Sequence, residues 1–189
     1  MDIENKKQPS CLIVGAGDDT GSALARAFAR EGYVACVTRR PRHGEKLQQL
    51  VASIEADGGR ARAFPSDARD EKSVVELVRQ IESDVGPLEV AVFNIGANVR
   101  FGITETTERV YRKVWEMGAY AGFLMGREVA SVMVPRKRGT ILFTGATASM
   151  RGASGFSAFA GAKFALRALA QSMAREVPFH GPSHPNVRG

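Results

Sequence analysis

The sequence predicts an α/β domain with a doubly wound parallel sheet, and three observations carry that prediction. Short apolar runs alternate with amphipathic stretches of helical period along most of the chain. Helical stretches are stopped by glycine, at Gly32 and at Gly58-Gly59. A glycine loop, Gly15-Ala16-Gly17, joins the first apolar run to the first helical one. At 189 residues, 44% apolar and 24% charged, the chain has the size and composition of one globular domain with a full core.

Taken in order, Cys11 to Val14 reads as the first strand, and Gly21 to Glu31 as a helix with Leu24, Ala27 and Phe28 on one face. Val34 to Thr38 is the second strand, and Glu45 to Asp57 a helix with Leu47, Leu50, Val51 and Ile54 at core spacing. Ala61 to Pro65 is the third strand. Val74, Leu77, Val78, Ile81 and Val85 then align one face of a helix from Glu71 to Val85. Leu88 to Asn94 is the fourth strand, followed by a helical region from Thr107 to Val134. Thr140 to Gly145 is the fifth strand, and Phe159 to Arg175 the last helix. Strands joined through helices of this length pair in parallel, and the helices cover both faces of the sheet. No internal repeat or low-complexity segment interrupts the series.

The net charge of +6 raises the question of a nucleic-acid partner. The densest basic clusters, Arg39-Arg40-Pro41-Arg42 and Arg136-Lys137-Arg138, are not interleaved with aromatics, so none is expected. Arg136 to Arg138 reads as a solvated loop. No apolar run approaches the roughly 18 residues of a membrane span. Met1 to Pro9 is polar and lacks the apolar stretch of a signal peptide, so a cytoplasmic protein is expected. Cys11 and Cys36 fall in apolar strand-like runs and read as buried, reduced thiols.

In such a sheet, ligands bind beyond the carboxyl ends of the strands, where the strand order reverses. The first strand-to-helix turn is Val14-Gly15-Ala16-Gly17-Asp18-Asp19-Thr20-Gly21. Its glycines allow close backbone approach. The helix that begins around Thr20 and Gly21 offers amides and a positive dipole end to a pyrophosphate. Asp18 and Asp19 are placed to cap that helix, and near a pyrophosphate either carboxylate would repel it. Beyond the second strand come Arg39 and Arg40, with no acid until Glu45. A guanidinium offers paired donors to phosphate oxygens, so this pair suits the 2′-phosphate of NADP better than the ribose of NAD. The alternative is two solvated surface arginines.

Two further segments complete a pattern: Phe93-Asn94-Ile95-Gly96-Ala97 after the fourth strand, and Phe159-Ala-Gly-Ala-Lys163 on the last helix. With the glycine loop, they make residues 10–176 resemble the short-chain dehydrogenase/reductase (SDR) family. The resemblance implies a Rossmann-like fold, hydride transfer to or from a carbonyl or alcohol, and a nicotinamide cofactor, with NADP preferred over NAD through the arginines. Gly15 and Gly21 match the family loop Thr-Gly-x-x-x-Gly-x-Gly, where Val14 replaces the threonine and Asp19 the middle glycine. Ser66-Asp67-Ala68 resembles the family's acidic contact to adenine. Asn94 to Ala97 resembles the second half of its Asn-Asn-Ala-Gly. The cofactor-binding set implied is Gly15, Gly17, Thr20, Gly21, Arg39, Arg40, Asp67, Ala68, Asn94, Gly96 and Lys163.

SDR enzymes use a tyrosine as general acid or base and a lysine that lowers its pKa and binds the nicotinamide ribose. A serine holds the substrate oxygen, and an asparagine completes a proton relay. Here Phe159 stands at the tyrosine, Ala146 at the serine and Gly118 at the asparagine, so Lys163 is the one catalytic residue left. A positioned general acid is worth roughly a hundred- to ten-thousandfold in rate. Replacements for the lost hydroxyl are Tyr120, Thr144, Thr147, Ser149, Ser157 or a water held by Lys163. Two functions follow: an NADP-dependent oxidoreductase of doubtful competence, or a catalytically silent NADP(H)-binding or partner-binding protein.

After Arg175, three prolines and two glycines forbid a regular element, which leaves 1–176 as the dinucleotide-binding domain and 177–189 as an irregular tail. Family members continue with a sixth strand, a turn over the nicotinamide, a substrate-covering segment and a seventh strand. The fold is therefore expected to stop after the fifth strand and its helix. His180 and His184 flank Pro182, which argues against a helical metal pair. The helices carrying Phe123, Leu124 and Met125 and carrying Leu166, Leu169 and Met173 resemble the family's subunit-pairing helices. With Ile141, Leu142 and Phe143 on an open edge strand, they imply a homo-oligomer.

Overall fold

The computed structural model describes residues 7–177. Its elements are β1 (Ser10–Val14), α1 (Thr20–Arg30), β2 (Val34–Arg39), α2 (Gly44–Ala56), β3 (Arg60–Pro65), α3 (Glu71–Gln80), β4 (Leu88–Phe93), α4 (Glu108–Trp115), α5 (Ala121–Met133), β5 (Thr140–Phe143) and α6 (Ser157–Glu176). All strand pairs are parallel, in the order β3-β2-β1-β4-β5. The chain starts at the centre of the sheet, winds out to β3, then crosses back past β1 to β4. The order therefore reverses between β1 and β4, and a crevice opens there at the carboxyl ends of the strands.

Alternation along β1 divides the core in two. Leu12 and Val14 face one layer with Leu77, Val78, Met125 and Leu166 from α3, α5 and α6. Cys11 and Ile13 face the other with Ala25, Leu47 and Ile54 from α1 and α2. Both faces of the central strands are covered, which is why they read as continuous apolar runs.

The helical region over 107–134 is interrupted. A π turn over Glu116–Tyr120 joins α4 to α5, and a second, over Ile81–Val85, extends α3. Gly118 lies buried in the first of these turns. A Cβ there would stand 3.0 Å from that of Ala162, so α6 packs directly on the turn.

Two expectations are corrected by packing. Leu124, Met125 and Leu166 are core residues rather than subunit-facing ones. The exposed apolar side chains nearby are Trp115, Phe123 and Phe164. Arg136 to Arg138 lie in an exposed loop, as expected, and two of its arginines are paired: Arg136 with Glu82 and Arg138 with Glu89, each at 2.6 Å, while Arg136 also donates to Leu88 O at 2.8 Å. On β5, an edge among the described residues, Leu142 is the one exposed apolar side chain, since Ile141 and Phe143 pack on the core. The segment 178–189, with His180 and His184, lies outside the described residues. No described helix is long and apolar enough to cross a membrane.

Cys11 and Cys36 lie on neighbouring strands but in opposite core layers, which rules out a disulfide between them. Burial raises both thiols, Cys36 to about 12 and Cys11 further. Both should resist an aromatic disulfide reagent at about pH 8 in the native protein and titrate fully in urea. Fast native labelling of either would contradict this packing.

Candidate functional site

The crevice between β1 and β4 is built on backbone contact. Gly15 has φ +87°, and a Cβ on it would fall 2.8 Å from Asn94 O. A Cβ on Gly21 would overlap the Gly15 carbonyl oxygen. Asn94 Nδ2 donates to Gly15 O at 3.1 Å, and the Gly15 and Ala16 amides both donate to Thr38 O. The glycine loop is thus wedged between β2, β4 and α1. Neither aspartate caps α1: no side chain accepts from its first amides, and Ser22 Oγ donates instead to the Asp18 and Asp19 carbonyls, at 2.6 and 2.8 Å. The helix N-terminus therefore opens on the crevice with its dipole uncompensated.

Two adjoining clefts, of about 360 and 320 Å³, share Gly15, Gly17, Asn94 and Gly96 in their walls. The first also holds Arg39, Arg40, Asp67 and Ala68, and the second Thr20, Gly21 and Lys163. All eleven positions singled out by sequence therefore line one continuous crevice. Arg39 is not a solvated arginine: its side chain is 11% exposed, against 70% for its partner Asp18. Its Nε donates to Ala16 O at 2.5 Å and its Nη2 to Asp18 Oδ1 at 2.7 Å. Lys46 Nζ stands 3.5 Å from Asp18 Oδ2. The hydrogen bond from Arg39, then the charges of Arg39 and Lys46, hold the Asp18 carboxyl below its usual range.

Asp67 is likewise engaged. Arg69 forks it, Nε to Oδ1 at 3.0 Å and Nη2 to Oδ2 at 2.6 Å, which lowers its pKa. His43, in the same wall, is held below its ordinary value by desolvation and then by the charges of Arg42, Arg40, Arg39 and Lys46. Lys46, His43 and Arg69 escaped the sequence reading. The available signal was their density, with six basic or imidazole side chains, Arg39, Arg40, Arg42, His43, Lys46 and Arg69, at or just after strand ends or in the first turn of α2.

Lys163 is 2% exposed, with no carboxylate partner among the described residues. Its Nζ donates to Thr144 O at 2.8 Å and to Ile95 O at 3.1 Å, and stands 6.0 Å from the centre of the Phe159 ring. Burial lowers its pKa. Phe159 and Ala146 wall this cleft and, on their far side, a cavity of about 510 Å³ lined by Thr147, Arg151 and Phe156. A ring and a methyl offer no proton here.

Of the replacement hydroxyls, Tyr120 is ruled out. It stacks between Trp115 and Phe123, at 6.1 and 6.2 Å between ring centres, and lines none of these cavities. Ser149 Oγ accepts from Ala146 N at 3.1 Å, and Ser157 Oγ is buried away from the clefts. Thr144 and Thr147 remain in the walls. No cluster of three His, Cys, Asp or Glu side chains among the described residues could hold a metal ion.

The fold is a Rossmann-like α/β fold with a crevice at its topological switch point. The profile of the short chain dehydrogenase family matches residues 10–182, and the chain belongs to that family. It is 29% identical to 2,3-dihydro-2,3-dihydroxybenzoate dehydrogenase of Bacillus subtilis, over 88% of this chain and 63% of that protein. It is 30% identical to gluconate 5-dehydrogenase of Gluconobacter oxydans, over 90% of this chain and 66% of that protein. The chain thus spans just under two thirds of the length of these relatives. Among solved structures, a short-chain dehydrogenase from Rhodopseudomonas palustris superposes with a TM-score of 0.85 at 55% identity. That match covers 89% of this chain and 78% of the other.

The lowered pKa of Lys163 has a defined consequence for stability. At low pH the amine is charged in both the folded and unfolded states, and burial opposes folding. Between the lowered folded value and about 10.5 the unfolded chain binds a proton that the folded one does not, so stability rises with pH. The Tm of the unmodified protein relative to Lys163→Met should therefore rise as the pH is brought up toward about 10.5. A constant difference would show that the amine is solvated.

Proposed function

We propose that the chain is an NADP(H)-binding oxidoreductase of the SDR type whose hydride transfer proceeds without a tyrosine proton donor. The observation that carries this reading is the basic wall beyond β2, with Arg39, Arg40 and Lys46 facing the glycine loop across one cleft. A 2′-phosphate suits that wall, and the end of β2 carries no acid that would favour the ribose hydroxyls of NAD. The residues present fit a dinucleotide in two further ways. At Gly17 the loop leaves room where a Cβ would stand, with only Arg39 Nη2 nearby at 3.8 Å, and α1 presents an uncapped N-terminus. Ser66 adds a buried hydroxyl without a hydrogen-bond partner in the wall near the expected adenosine.

When bound, the nicotinamide supplies the hydride. Lys163 uses two of its three donors on Ile95 O and Thr144 O, which leaves one for a ribose hydroxyl. Phe159 and Ala146 exclude water from the face between the two cavities. Any proton must come through the Thr144 or Thr147 hydroxyl or through solvent. A second reading, catalytic silence, is favoured by Gly118. The space beside it is filled by Ala162, so no relay side chain fits without a shift of α6.

Trp115, Phe123 and Phe164, 39–43% exposed on α4, α5 and α6, suit a homo-oligomer contact. Two buried, unpaired thiols accord with a reducing, cytoplasmic setting.

Calorimetric titration should give tighter binding of NADPH than of NADH. Arg39→Ala with Arg40→Ala should weaken NADPH by about a hundredfold and NADH by less than about threefold. Equal losses would remove the 2′-phosphate assignment. Across an aldehyde and ketone panel, turnover should lie about a hundred- to ten-thousandfold below an ordinary 10 per second or so. An ordinary rate would mean that a proton donor has been overlooked. Phe123→Asp with Phe164→Asp should convert an oligomer at tens of micromolar into a monomer by light scattering. An unchanged mass would move the interface elsewhere.

A further inference from the structure

Asp18 is out of place in a crevice suited to an anion. It does not cap α1, its side chain is 70% exposed, and its two oxygens engage two different cations. Oδ1 accepts from Arg39 at 2.7 Å, and Oδ2 stands 3.5 Å from Lys46 Nζ. Three elements converge on this carboxylate: the loop after β1, the end of β2 and the first turn of α2. Arg39 is fixed from behind by the bond from its Nε to Ala16 O, so its Nη2 is held toward whatever anion lies beside Gly17. Arg40 and His43 stand in the same wall. Without Asp18 the loop would face a cluster of uncompensated positive charge.

We propose that Asp18 is an internal surrogate for the cofactor's 2′-phosphate. In the free protein it holds Arg39 and Lys46; in the complex it yields both to the phosphate and turns toward solvent. Asp18 thereby sets the margin by which NADP(H) is preferred over NAD(H), and Lys46 is a third phosphate ligand beside Arg39 and Arg40. The inference rests on the NADP(H) reading above. A doubly charged phosphate with three free oxygens displaces a single carboxylate from two cations, because both the charge and the number of acceptors favour it. NADH carries no group that competes for these cations, so for NADH the Asp18 contacts persist.

The test compares the unmodified protein with Asp18→Asn and Lys46→Ala. Each is titrated calorimetrically with NADPH, NADH, adenosine 2′,5′-bisphosphate and adenosine 5′-monophosphate. Asp18→Asn should tighten NADPH and the bisphosphate about three- to tenfold and leave NADH and the monophosphate within about twofold. Lys46→Ala should weaken the first pair by a similar factor and spare the second. The gain from Asp18→Asn should shrink in about 0.5 M salt, where exposed charges are screened. Weaker NADPH binding by Asp18→Asn would mean that the carboxylate positions Arg39, and would overturn the surrogate role. Equal gains for both dinucleotides would mean general repulsion of the pyrophosphate, and would also overturn it. If the unmodified protein binds neither dinucleotide, the NADP(H) reading itself fails. If it binds NADPH and Asp18→Asn leaves the NADPH-to-NADH ratio unchanged, only the surrogate role fails.

Discussion

Where β1 and β4 part, two backbones must come closer than any side chain permits, and much of the crevice follows from that contact. Gly15 lies against the Asn94 carbonyl, Gly21 lies against the Gly15 carbonyl, and Asn94 returns a hydrogen bond from its amide to Gly15 O. The contact fixes the direction in which α1 leaves the sheet, and so where its N-terminus points. It also fixes Ala16 O, which anchors Arg39 and with it the basic wall. A methyl group at Gly15 would displace the floor of both clefts at once, because each is lined by the same loop.

The charges of the crevice are arranged in two different ways. Toward β2 and β3, cations and carboxylates neutralise one another locally, Arg39 and Lys46 with Asp18, and Arg69 with Asp67. Such partly exposed pairs contribute little to stability, but they set the orientation of the guanidinium groups and the electrostatic cost of admitting an anion. Toward β5 the arrangement is the opposite. Lys163 is buried on two backbone carbonyls with an aromatic ring beside it, and no carboxylate among the described residues offsets its charge. The first half of the crevice is locally neutral; the second holds a nearly dry amine on backbone carbonyls alone.

The fold was legible because period and punctuation agree. Apolar runs mark strands buried on both faces, and Gly32 and Gly58 stop helices with positive φ at each. Observed boundaries differ from the expected ones by about one or two residues, the ordinary fraying of element ends. The crevice was legible in its members, since every expected position lines it, but not in its pairings. Sequence separation hides that Arg39 reaches back to Asp18 or that Arg136 crosses to Glu82. Helical period identified α5 and α6 as amphipathic but could not say which neighbour each face meets, so Leu124, Met125 and Leu166 were read as outward-facing when they fill the core. Tyr120 closes the π turn at Glu116–Tyr120 and stacks with Trp115 and Phe123 instead of lining the crevice, an irregularity that a plain 3.6-residue period does not reveal.

Lys163 shows why a catalytic position need not imply catalysis. In a site with a tyrosine, the lysine would be explained by the hydroxyl it activates; here Phe159 leaves no hydroxyl to activate. Yet the amine is engaged, because β4 and β5 end in carbonyls that diverge at the crevice and need donors. Ile95 O and Thr144 O both receive them from Nζ, and the lysine straps the two strand ends together. Burying an ammonium in this way is costly, and burial accordingly lowers its pKa, but two unsatisfied carbonyls in the same place would be costly as well. The strap keeps Thr144 and Gly96 at the wall of the cleft whether or not a proton is ever transferred there. Lys163 therefore has a structural reason to persist that is independent of the tyrosine, the serine and the asparagine. Its presence is evidence for the shape of this cleft, and the chemistry beyond it has to be argued from Phe159, Ala146 and Gly118.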